Sequence, residues 1–232
     1  MLARDVMTTT VTAVTPATPV PEIATLLLDR HISAVPVVDA DNRILGIVSE
    51  GDLIHRAESD AERRRSRWLA LLLTGAEDRA REYVKTHGRR AEDVMTREVV
   101  TVGEDTPLGE IAGLLERRRI KRVPVVRDGR LVGIVSRADL LRGLAAGGAA
   151  APAPVTADDR AIRERLLGEL DEQGLVPTRY VNVVVTDGVV HLWGLIDGPE
   201  QARAIRVAAE NIPGVRAVED HLGRRPPYTG GE

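Results

Sequence analysis

Two short stretches of this chain carry residue types that could hold a polyhydroxylated, anionic ligand. Gly46-Ile47-Val48-Ser49-Glu50-Gly51-Asp52 and Gly133-Ile134-Val135-Ser136-Arg137-Ala138-Asp139 share the pattern Gly-h-h-Ser-x-x-Asp, where h is apolar. Two readings of that pattern compete. In one, Ser49 or Ser136 caps a helix, and Asp52 or Asp139 at the third helical position bonds back to the cap in place of the usual Glu. In the other, the helix start offers free N–H groups and a positive dipole end to an anion, while the carboxylate accepts hydrogen bonds from a ribose diol. Cations are unequally placed around the two copies. Lys121, Arg122 and Arg137 accompany the second, where the first has Ser33, Ala34 and Glu50. Charge-assisted bonds from such cations suit phosphate. A solvated helix end, cationic because that suits the C-terminal dipole, is the alternative reading. It does not account for the missing charges in the first copy.

Catalysis has no candidate constellation. The chain has no Cys, which excludes thiol catalysis, thiolate metal sites and disulfides. The five His, at 31, 55, 87, 191 and 221, show no ligand spacing, so no metal site is expected. Neither a nucleophile elbow nor a P-loop occurs. The expectation is a binding protein and not an enzyme.

The elements that must position these residues are written twice. From residue 7 to 38, 17 of 32 positions are identical to those 88 residues later, and the Gly-h-h-Ser-x-x-Asp copies follow at an offset of 87. A nearly gapless duplication predicts two similar folds about a pseudo-twofold axis, with the groove between them a natural ligand site. Each repeat reads β-α-β-β-α. A Val/Thr strand (Val11–Val14; Val99–Val102) precedes a helix for which Thr18 or Thr106 suits the N-cap and Pro19 or Pro107 the first helical position. Ile23, Leu26 and Leu27, like Ile111, Leu114 and Leu115, recur at helical spacing. The runs Val35–Val38 and Val123–Val126 read as buried strands. Strands Ile44–Val48 and Leu131–Val135 then lead into the Ser-started helix.

The rest of the chain divides into an insert (59–90), a small-residue linker (147–155), a third domain (156–223) and a tail (224–232) expected to be disordered. The insert motif Glu62-Arg63-Arg64-Arg65-Ser66-Arg67-Trp68 reads as a solvated helix packing Trp68 and Leu69 inward, more than as a nucleic-acid site. The third domain reads α-β-β-α-β. Its first helix is Asp158–Gln173, and its hairpin turns at Thr186-Asp187-Gly188 between Val181–Val185 and Val189–Leu195. Helix Pro199–Asn211 and strand Val215–Leu222 follow, and Gly194 is expected to let a helix approach. Hydrophobic content of 43% and charged content of 29% fit a globular protein, and a net charge of −3 gives no global pull toward nucleic acid or anionic lipid. The start lacks a signal-peptide core and no apolar run would span a bilayer, so a cytoplasmic location is expected.

The tandem pattern DVMT…TP…EIA.LL…VPVV…GIVS..D resembles the paired cystathionine β-synthase (CBS) domain, or Bateman module, over nearly all of 1–146. The resemblance implies an α/β (α+β) fold, a homodimer, and an adenosine-containing ligand in the cleft between repeats (AMP, ADP or ATP, with NAD and S-adenosylmethionine not separable). By position it implies Thr106, Ser136 and Asp139 as ligand residues in repeat two and Thr18, Ser49 and Asp52 in repeat one. Lys121-Arg122 is similar to the basic pair that reaches phosphates in the γ subunit of AMP-activated protein kinase. Adding Arg137, repeat two is expected to be the main site and repeat one the weaker. The segment 156–222 resembles a BON domain through VTDGVVHLWG and IPGVRAV. That implies docking to an unidentified protein, or phospholipid contact. A net charge of −3 over 155–225 disfavours anionic lipid, although Arg160 and Arg163 could form a local basic face. Two classes stay open: a regulatory adenosyl-ligand sensor, and a ligand-free dimerisation or stress scaffold, with peripheral lipid binding a weaker third.

Overall fold

A computed structural model describes residues 1–57, 77, 84, 87–147 and 155–224. Most of the insert, including its basic run and Trp68, lies outside the described residues, as do 148–154 of the linker and 225–232 of the tail. In chain order the elements begin with α1 (Ala3–Val6), α2 (Val20–Asp29), β1 (Ala34–Val38), β2 (Ile44–Ser49) and α3 (Glu50–Ala57). Repeat two supplies α4 (Ala91–Val94), β3 (Val102–Gly103), α5 (Leu108–Arg117), β4 (Arg122–Arg127), β5 (Arg130–Ser136) and α6 (Arg137–Ala146). The C-terminal domain adds α7 (Ala157–Glu172), β6 (Val181–Thr186), β7 (Val189–Ile196), α8 (Pro199–Glu210) and β8 (Ala217–Arg224). This is a mixed α+β architecture.

The chain forms two compact units that cut across the repeats. One combines Met1–Val11 with Thr101–Arg127 and Val132–Glu232; the other combines Thr12–Val100 with Asp128–Leu131. The leading segment of each repeat therefore packs on the other repeat's main body. In the first unit Thr8 exchanges two backbone hydrogen bonds with Ile134, each of 3.0 Å, and the Ala3 amide donates to the Thr106 carbonyl at 2.9 Å. In the second, Thr96 pairs with Ile47 in the same way, and the Ala91 amide donates to the Thr18 carbonyl at 2.9 Å. The motif glycines make these contacts fit. A Cβ at Gly133 would overlap the Met7 side chain, and one at Gly46 would overlap Met95. Thus the Gly of Gly-h-h-Ser-x-x-Asp makes room for the Met of the exchanged Asp-Val-Met-Thr segment.

Each helix start lies one residue later than the sequence reading. Pro19 and Pro107 are the N-caps, without a side-chain cap bond. Thr18 instead closes its own exposed loop, where its Oγ1 accepts from the Thr15 amide at 3.1 Å. The expected first strands shrink to a bridge at Val14, parallel to Val37, and to the two residues of β3. The buried faces of the two helices are Ile23 and Leu27, and Ile111 and Leu115.

In the C-terminal domain β6 and β7 are antiparallel and β8 returns parallel to β7 through α8. Asp187 and Gly188 both take positive φ, 50° and 70°, as a tight hairpin turn requires. Ile162, Leu166 and Leu170 of α7 and Ile205 and Ala209 of α8 close one face of the sheet. Gly194 serves a different purpose from the one expected. Its φ is +153°, and a Cβ there would strike the Tyr180 carbonyl of the neighbouring chain segment, not a helix. Strand β6 is buried along its whole length, so its second face must also be covered.

Candidate ligand site

Both Ser-x-x-Asp motifs are capping boxes in fact. The Ser136 amide and hydroxyl donate to Asp139 Oδ2 at 2.8 and 2.7 Å, and the Asp139 amide reaches Ser136 Oγ at 3.4 Å. In repeat one the Ser49 amide and hydroxyl donate to Asp52 Oδ2 at 2.9 and 2.6 Å, with the return bond at 3.4 Å. A third copy, Thr156-x-x-Asp159, closes in the same way at the start of α7. The motif is thus a way to start a helix, satisfying its orphan amides. One carboxylate oxygen, Oδ1, is left to do something else in each copy. In repeat one, Thr96 Oγ1 lies at hydrogen-bond range of Asp52 Oδ1, 3.5 Å. The pocket-facing chemistry expected from the sequence would have to use these second oxygens.

The start of α6 is tied to the chain that leads into β4. The Arg137 amide donates to the Lys121 carbonyl at 3.2 Å, and its guanidinium donates to the Ile120 carbonyl at 3.3 Å. Arg122 is the next residue in β4. Repeat one builds the same junction with the Glu50 amide on the Ser33 carbonyl at 3.0 Å, so the scaffold is duplicated and only the charges differ. Thr106 stands apart. It lines an open cleft of about 460 Å³ together with Glu104, Asp105, Glu110 and Arg127. None of the other five residues expected in repeat two lines that cleft, and three carboxylates make it a poor phosphate seat.

Asp139 is covered. Only 2% of it is exposed. Its Oδ1 accepts from Arg142 Nη1 at 2.7 Å and faces Asn182 Nδ2 of β6 at 3.3 Å. The same Asn182 amide donates to the Val6 carbonyl at 2.7 Å. Strand β6 therefore lies on α1 and α6, which explains its two buried faces. Helix α7 extends the contact. Arg160 Nε donates to Asp5 Oδ1 at 2.8 Å, and Arg163 donates to the Val183 and Met7 carbonyls at 2.8 and 2.6 Å. Burial pulls the Arg163 pKa down to about 10, and Asp5, Asp139 and Glu164 oppose that shift, so the guanidinium stays charged near neutrality. Thr186 Oγ1 donates to the Ala146 carbonyl at 3.2 Å, and Thr10 and Thr178 join hydroxyls. The basic face that could have met lipid is thus a docking face: Arg163 is 6% exposed and Arg160 is paired with a buried carboxylate.

Comparison with known proteins identifies two domain types. Residues 3–59 and 91–146 match the CBS domain, and residues 158–225 match the BON domain. An uncharacterised protein of Methanocaldococcus jannaschii is 31% identical over 138 residues, which are 53% of this chain and 79% of that protein. The chain belongs to the CBS-domain family. CBSX1, a chloroplastic CBS domain-containing protein of Arabidopsis thaliana, is 33% identical over 134 residues, covering 56% of this chain and 57% of its own length. The crystal structure of CBSX2 in complex with AMP matches with a TM-score of 0.54 at 27% identity, over 62% of this chain and 96% of that one. Among the described residues, no helix is long and apolar enough to cross a membrane.

Two residues at the covered carboxylate escape sequence reasoning: Asn182 of the BON domain and Arg142 of the second CBS repeat. Asn182 did leave a trace, as the one amide in the strand Val-Asn-Val-Val-Val-Thr. A polar group in such a run needs a partner outside its own sheet.

Proposed function

We propose that this protein is a non-catalytic regulator in which an adenosine-containing ligand of the CBS pair and the BON domain compete for Asp139. The observation that carries the reading is the contact of Asn182 with the carboxylate oxygen left over from the Ser136 capping box. The AMP complex of CBSX2 supports the ligand class. A ribose diol would need the oxygen that Asn182 and Arg142 hold, so binding at repeat two requires β6 to withdraw. The docked fraction then weakens the apparent ligand affinity. By linkage, bound ligand favours the undocked BON domain to the same degree. Lys121, Arg122 and Arg137 would neutralise phosphate beside the start of α6, with Ser136 at the ribose edge. Thr18, Ser49 and Asp52 would form the cation-poor counterpart in repeat one.

Calorimetry with AMP, ADP and ATP tests this. Asp139→Ala and Arg122→Ala are expected to weaken binding about tenfold or more, the worth of one charge-assisted hydrogen bond. Asn182→Ala is expected to strengthen it, because the competing contact with Asp139 is removed and docking is weakened. If the first two variants bind as the wild type does, the assignment is wrong.

The full set of partners around Asp139 also suits the other class, a scaffold whose CBS pair holds no physiological ligand and serves dimerisation. Thermal unfolding against a nucleotide panel separates the two. Stabilisation that grows with concentration marks the sensor, and a flat response marks the scaffold.

A further inference from the structure

On the open part of the BON sheet, three side chains that are scattered in sequence meet. The parallel register of β7 and β8 sets His191 opposite Glu219 and Trp193 opposite His221. All four residues share one face, since alternate residues of a strand point the same way. His191 Nδ1 lies 3.1 Å from Glu219 Oε2, and His221 Nε2 lies 3.6 Å from the same oxygen. The three ligand atoms all fall within 4.8 Å of one another. Strand register, not spacing along the chain, brings the two histidines to one carboxylate.

The hydrogen bonds around His191 sharpen the point. Thr186 spends its hydroxyl proton on the Ala146 carbonyl, and its Oγ1 lies 3.4 Å from His191 Nε2. The oxygen is thereby left to accept, so His191 carries its proton on Nε2. In that tautomer the Nδ1 lone pair faces the Glu219 carboxylate, the orientation in which both could hold one cation.

We propose that His191 Nδ1, the Glu219 carboxylate and His221 Nε2 form a divalent transition-metal site on the BON domain. The donor set, two imidazoles and one carboxylate, is that of a three-ligand zinc-type centre with an open position. Donor atoms around one tetrahedral ion are about 3.3 Å apart at ordinary metal–ligand lengths, close to the two shorter separations here. The supporting contacts are those a metal site needs. Thr186 fixes the His191 tautomer, and Trp193 stacks on the His221 ring with centroids 3.9 Å apart and planes 14° apart. Glu219 and His221 are exposed at 55% and 37%, so an ion can reach the site and both side chains can close on it.

The test is Zn²⁺ binding to the full, tag-free chain, read by calorimetry and by the change in Trp fluorescence. One ion per chain is expected. His221→Ala and Glu219→Gln, both at exposed positions, should each weaken binding at least about tenfold while leaving the metal-free unfolding temperature unchanged. The fluorescence response should vanish in His221→Ala, because Trp193 then has no ring to report on. The proposal is overturned if the wild type binds no Zn²⁺ at micromolar concentration, or if both variants bind as it does. The outcome is independent of nucleotide binding.

Discussion

Asp139, Asp52 and Asp159 occupy the same local geometry and have three different fates. Each closes a capping box through Oδ2, and the fate of Oδ1 depends on what lies above it. Asp159 Oδ1 accepts from the Gly188 amide of the hairpin turn at 2.7 Å. Burial disfavours its charge, yet the bonds from Gly188, Thr156 and Asp187 win and hold its pKa below the ordinary carboxylate value. Its folded pKa is thus below the unfolded one, about 3.9. The stability it contributes is present above that pH and is lost as pH falls through the folded pKa. Asp159→Asn should lower the unfolding temperature at neutral pH and flatten its fall below about pH 4, which thermal melts across that range would detect. An unchanged acid limb would rule out this linkage. The glycines make a second residue-scale argument. Gly133→Ala forces a methyl group into Met7, so a loss of about 1–3 kcal/mol is expected, measured by denaturant unfolding. Gly133→Ala combined with Met7→Ala should recover part of that loss.

At the scale of elements, the repeats show why pattern reading found the strands and helices. Ile23, Leu27, Ile111 and Leu115 repeat at helical spacing and are the residues buried. The strand runs around Val35 and Val123 are short and β-branched, and they are the buried strands β1 and β4. The same reading could not say which body each leading segment joins. Segments 1–11 and 89–97 look alike, and only their backbone pairing with Ile134 and Ile47 assigns them. Helix α7 gives a comparable case. Ile162, Leu166 and Leu170 announce its core face, while Arg163, one residue along, looks like surface and is buried against Met7. Arg163→Met leaves the Met7 and Val183 carbonyls without their donor, at a cost of about 1–3 kcal/mol. Hydrogen exchange should then speed up in residues 5–8 and in β6 with α8 unaffected. Exchange confined to α7 would argue against the Arg163 bridge.

For the whole molecule, the BON domain is part of the structure that surrounds repeat two, not a freely tethered module. Its docking depends on Asp5–Arg160, Met7–Arg163, Val6–Asn182 and Ala146–Thr186 together, so no single contact decides it. The sequence by itself determined the duplication, the main helices and strands of each repeat and the charge asymmetry between Lys121-Arg122-Arg137 and Ser33-Ala34-Glu50, and it offered the capping boxes as one of two readings. All of these follow from local periodicity and from residue types a few positions apart. Only the tertiary structure decided that segment 1–11 belongs with repeat two, that Asp139 lies beneath Asn182, and that His191 meets Glu219 and His221. Those are contacts between residues distant in the chain. They depend on which strand lies beside which and on which face is covered, and no spacing along the sequence encodes either.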